Sequence, residues 1–117
     1  MTGALPGHQP AQAVSNAIVA WFKETAGRGP TRAKAYIADD HVLVLLGSVQ
    51  TTVERTLLDH GQGELVDRLR RTMRGIYRDE LCELVSRNVD RPVATMLSDH
   101  DPSTDTSALV FLLEPQA

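Results

Sequence analysis

The chain has one cysteine, Cys82, so no intramolecular disulfide can form, and no Cys/His cluster supplies a structural zinc motif. That usage points to a reducing cytoplasm. Long apolar runs are also missing: the longest, residues 42–46, falls far short of the roughly 18 residues that span a bilayer. The first residues lack the basic-then-apolar layout of a signal peptide, so the expectation is a cytoplasmic protein with no direct membrane span. Aromatic residues make up 4%, which leaves few platforms for stacking bases, and 12 Lys+Arg against 15 Asp+Glu give a net charge of −3. Nucleic acid is therefore an unfavoured partner. His8, His41, His60 and His100 are scattered without metal-ligand spacing, no acid and base pair stands out, and no cofactor motif is present. The sequence reads as non-enzymatic, with neither metal nor cofactor.

What is there fits one domain: 117 residues, 42% apolar and 23% charged, enough for a core and too short for a second one. Residues 1–10, with two prolines and two glycines, read as a flexible leader; residues 11–117 form the domain. Val14, Ala17, Ile18, Trp21, Phe22 and Thr25 recur at helical spacing, and Gly27 is a natural stop. Residues 31–38 then alternate as a strand, and residues 41–47 form a second strand without a polar side, so both its faces should be covered. A short helix near residues 50–60 is expected to turn Val53, Leu57 and Leu58 inward. The long helix, residues 64–88, carries the stripe Leu65, Val66, Leu69, Met73, Ile76, Tyr77, Leu81, Leu84 and Val85. Residues 93–98 and 108–113 give two more strands around a polar connection, residues 99–106.

Helix followed by hairpin thus occurs twice, and two hairpins joined edge to edge give an α+β fold. The expected architecture is a two-layer sandwich, a four-stranded antiparallel sheet from two hairpins with helices on one face. The other face would be apolar, and a homodimer is the most economical cover for it.

Two surfaces carry candidate binding residues. Gly27-Arg28-Gly29-Pro30-Thr31-Arg32-Ala33-Lys34 combines free backbone N–H groups, a hydroxyl and three cations, although it departs from the phosphate-loop pattern and also reads as a turn capping the first helix. On the long helix Arg71, Arg74 and Arg78 share one stripe beside Arg70, suited to carboxylates, phosphates or an acidic partner. The bland alternative is a solvated face paired to Asp67 and Asp79. Asp99, Asp101 and Asp105 with His100 read as a turn held by Asp side chains, and Cys82 as a packing residue.

The segments Ser15-Asn16-Ala17-Ile18, Gly27 to Tyr36, Thr52-Val53-Glu54-Arg55-Thr56-Leu57 and Leu97-Ser98-Asp99-His100-Asp101-Pro102 resemble the MpsC-like family, small bacterial domains labelled the C component of a sodium-translocating, membrane-potential-generating system. The resemblance runs from about residue 12 to Pro115, with the Gly-Arg-Gly-Pro-Thr loop its most specific part, and includes Arg70-Arg71, Arg78-Asp79-Glu80 and the ending from Phe111 to Pro115. It implies an ion-translocation context in which a chain unable to form a pore has an accessory role. The expectation is a homodimeric accessory or regulatory module that binds a protein partner through Arg28, Gly29, Thr31, Arg32, Lys34, Arg71, Arg74 and Arg78. The alternative is a sensor of a small anionic ligand or nucleotide, bound between the Gly-Arg-Gly-Pro loop and the long helix.

Overall fold

A computed structural model describes residues 10–116, so the expected leader lies outside the described residues apart from Pro10. Pro10 opens helix α1 (Pro10–Ala26), where its missing N–H costs nothing, and Gly27 ends the helix with φ +76°. Strands β1 (Arg32–Ile37) and β2 (His41–Gly47) form the first hairpin. Helix α2 (Thr52–Asp59) follows, and its N-terminus is closed reciprocally: the Thr51 hydroxyl accepts from the Glu54 N–H, and the Glu54 carboxylate accepts from the Thr51 N–H. Helix α3 (Gly63–Val89) ends on Asp90 in the left-handed conformation, φ 56°, and strands β3 (Val93–Asp101) and β4 (Thr106–Leu113) complete the chain.

The four strands make one antiparallel sheet in the order β1-β2-β4-β3, with β2 and β4 joining the two hairpins at its centre. Helices α1 and α3 lie on one face, α1 against β1 and α3 against β3, while α2 packs on α3. The expected two-layer α+β sandwich is therefore the observed fold. Inward-facing residues follow the period of two: Val42, Val44 and Leu46 from β2, and Leu109, Phe111 and Leu113 from β4, meet Val14, Ile18, Leu81 and Val85 from the helices.

Several expectations need correction. The third and fourth strands run longer than their apolar cores, through Asp101 and back from Thr106, because pairing continues as His100↔Ser107 and Asp101↔Thr106. The polar connection shrinks to a tight turn in which Asp101 accepts from Ser103 and Thr104. Those hydrogen bonds hold the Asp101 carboxyl below the usual carboxylate range. On α2 it is Glu54 that is buried, whereas Val53 is 67% exposed. The stripe of α3 is covered at Val66, Leu81 and Val85 but open at Leu65, Leu69 and Ile76, the last 64% exposed. At 27 residues α3 is about 40 Å long, longer than the roughly 30 Å of nine-residue β3, so the sheet covers only part of it.

The central strand β2 also differs from the expectation of two covered faces. Val42, Val44 and Leu46 are buried, but Leu45 is 37% exposed, because its side of the sheet carries no helix. Pairing aligns that outer face in rows across all four strands. Tyr36, Leu43, Val110 and Leu97 form one row, and Leu97 is 55% exposed. The next row is Lys34, Leu45, Ala108 and Asp99, followed by Arg32, Gly47, Thr106 and Asp101. Both of these rows begin with a cation on β1 and end with a carboxylate on β3.

Candidate functional site

Beneath the helices, the inner face of the sheet changes character along its length. Around Val42, Phe111 and Met96 it is wholly apolar, but toward the β3–β4 turn the register brings Ser98, His100 and Ser107 inward beside Leu46 and Leu109. No packed layer fills the space above that end. A cavity of about 300 Å³ lies there, floored by these strand residues and walled by the end of α1, by α2 and by the middle of α3. Its size falls at the lower end of the range for small-molecule sites, about 300–1,000 Å³.

The polar groups of this cavity gather on one side. Glu54 and Arg70 pair twice, Nη2 to Oε1 at 2.9 Å and Nε to Oε2 at 2.7 Å, so the buried carboxylate serves both the α2 cap and the α3 guanidinium. One Arg74 nitrogen donates to the Ser98 carbonyl and to the Ser98 hydroxyl, leaving its other donors without a partner among the described residues. His100 Nδ1 lies 2.6 Å from the Ser107 hydroxyl, while Nε2 is buried with no hydrogen-bond partner among the described residues, 3.7 Å from Asp105. The opposite side is aromatic. Trp21 packs edge-on against Phe22 and Tyr77, with its Nε1–H buried and unpaired among the described residues.

Burial pushes the His100 pKa below its ordinary value and Arg70 adds to this, against Asp105, Glu54 and Asp101. The unfolded chain takes up this proton near pH 6.5, the folded chain only at lower pH, so between those values the unfolded state holds more protons and stability falls as pH falls. The melting temperature is expected to drop between about pH 7 and pH 5, and less so in His100→Gln. Equal drops in both proteins would assign the acid sensitivity to other groups.

The eight residues singled out in the sequence do not converge. Arg28 and Arg74 line the cavity, Arg28 at its α1 side and 3.5 Å from the Ser48 carbonyl. Arg78 instead borders an open groove between α3 and the start of β3, with Cys82 and Val93, and Arg71 is exposed outside both. Gly29 sits against Val19, where a side chain would crowd the Val19 carbonyl at 3.3 Å. Thr31 is tied by its N–H to the Gly47 carbonyl. Arg32 lies over Gly47 and Lys34 lies 5.4 Å from the Tyr36 ring centroid, both on the outer face. The pairing of the arginine stripe to Asp67 and Asp79 does not form among the described residues, since Arg70 and Arg74 reach off the helix instead. Cys82 packs beside the core, and burial with Asp79 pushes its thiol pKa up, disfavouring the reactive thiolate.

Trp21, Glu54 and His100 were not marked by the sequence as site residues, and Arg70 entered only as a neighbour of the arginine stripe. Glu54 carried a signal, because Thr51-x-x-Glu54 is the sequence form of a capping box. His100 carried none, since its inward direction depends on the register of a strand that runs beyond its apolar segment.

By architecture this is a two-layer α+β domain with an open antiparallel sheet, one bare apolar face and a cavity under its helices. The chain belongs to the MpsC family: the family model described as Na+-translocating membrane potential-generating system (MpsC) matches residues 7–115. Comparison with curated proteins and with solved structures gives no match. Among the described residues no helix is long and apolar enough to cross a membrane, and no group of His, Cys, Asp or Glu is arranged to hold a metal ion.

Proposed function

We propose that this chain is a cytoplasmic, non-enzymatic accessory module of the sodium-linked system its family names, working as a homodimer that presents its helices to a protein partner. The observation that carries this reading is the outer sheet face. Leu43, Leu45, Val110, Leu97 and Leu112 form an apolar centre, flanked by Arg32 and Lys34 on β1 and by Asp99 and Asp101 on β3. A twofold axis parallel to the strands lays β1 of one copy over β3 of the other, so each cation row meets a carboxylate row twice per dimer. The same operation buries the leucines at the centre.

Charge reversal tests the arrangement. Lys34→Glu or Asp99→Lys alone is expected to weaken the dimer, and Lys34→Glu combined with Asp99→Lys to restore it, as read by sedimentation equilibrium at low salt. If the double variant is as weak as the sum of the single ones, the two residues do not face each other and this docking geometry fails.

A second reading, a sensor of a small anionic ligand, is favoured by the cavity. Arg28 and Arg74 both border it, joining the loop and the long helix as that reading requires.

A further inference from the structure

The cavity has a polarity that narrows the ligand class. Its carboxylate from α2, Glu54, is already neutralised by Arg70 and occupied by the Thr51 N–H. The Asp99 carboxylate belongs to the outer-face row of β3. Among the described residues the positive charge left without a carboxylate partner on the polar side is therefore Arg74, held in place by Ser98, while the Ser107 hydroxyl on the same side meets His100 Nδ1. A single guanidinium with free donors in a partly buried wall suits one carboxylate. Across the floor, Leu46, Leu109 and Met96 run toward Trp21 and Phe22, a surface that is apolar apart from the Trp21 Nε1–H. Two buried polar atoms in these walls, Trp21 Nε1 and His100 Nε2, lack partners among the described residues. Buried polar groups are normally paired, so two left so mark the cavity as a place where the fold is incomplete by itself.

Resting on the sensor reading, we infer that the ligand is an amphipathic monocarboxylate with a short aliphatic or aromatic body, its carboxylate at Arg74 and Ser98 and its body between the sheet and Trp21. Arg28 closes the α1 side by its stem, and its charged end stays at the mouth. The placement disfavours a nucleotide, because its several phosphate charges would meet only Arg74 and, at the mouth, Arg28, and its sugar would face leucine and methionine.

The chain's single tryptophan lines the site, so ligand entry has a direct reporter. Octanoate and its neutral counterpart 1-octanol are the probes, read by Trp21 emission and by the one indole N–H resonance in a 15N-labelled sample. Octanoate is expected to give a saturable change with an affinity about tenfold or more above that of octanol, the difference a charge-assisted hydrogen bond supplies. Arg74→Gln is expected to bring octanoate down to the octanol value and leave octanol itself unchanged, which also shows the variant is folded. Leu97→Glu, on the outer face, is expected to leave octanoate binding as it is. Equal affinity for the two probes overturns the carboxylate assignment while leaving the sensor reading intact. Absence of a saturable Trp21 response to either overturns both, and loss of binding in Leu97→Glu places the ligand on the opposite face of the sheet.

Discussion

Glutamate introduced at two adjacent positions of β2 is expected to give opposite results. Val44→Glu should yield insoluble or unfolded protein, whereas Leu45→Glu should yield a folded monomer. Val44 is fully buried between Ala35 and Leu109 on the helix-covered face, and a carboxylate forced there costs several kcal/mol with no cation beside it. A domain whose whole stability is of the order of 5–15 kcal/mol has little margin for that loss. Leu45 points the other way, where solvent already reaches it, so a charge there leaves the core untouched and repels its own copy across the proposed interface. Circular dichroism and sedimentation equilibrium on the pair decide the matter. A folded dimer from Leu45→Glu would remove the outer face from the assembly, and a folded Val44→Glu would contradict the register of the sheet.

The second large effect belongs to Glu54. Glu54→Ala is expected to lower stability by about 3 kcal/mol, the lower end for removing one partner of a buried ion pair, because the Arg70 side chain is not wholly buried. At roughly 4 °C per kcal/mol for a domain of this size, the melting temperature should fall by about 12 °C. Three interactions go at once: the α2 capping box, the tie from α2 to α3, and the neutralisation of Arg70. Glu54→Gln, which can still accept from the Thr51 N–H, should lose less, and Arg70→Met should recover part of the loss when added to Glu54→Ala. A thermal melt of Glu54→Ala within 2–3 °C of the parent, on the order of 0.5 kcal/mol, would show that the pair is a surface ornament.

These two tests also separate what was legible in the sequence from what was not. Helix periodicity from Val14 to Phe22, the glycine stop at Gly27 and the two apolar hairpins were enough to define the layers, because each rests on local spacing. The parity of β2 was not legible: five apolar residues in succession look alike, and only the position of the helices separates Val44 from Leu45. On α3 the pattern correctly placed the helix but overstated its burial, since Leu65, Leu69 and Ile76 have the right spacing and no layer above them. Arginine content pointed to α3 as a binding element, yet Arg70 and Arg74 reach different partners at one cavity, Arg78 borders a separate groove and Arg71 is exposed. Those surroundings come from α2 and β3, elements distant in sequence, and spacing along one helix carries no information about them.

An open sheet with two unpaired edges is a template for endless addition of strands, and this one has the means to refuse. Arg32 and Lys34 place two positive charges on six-residue β1, so a second β1 edge approaching it meets like charge, while the irregularity between Val93 and Thr95 breaks the pairing of β3 at its start. Like charge thus disfavours the pairing of one β1 edge with another.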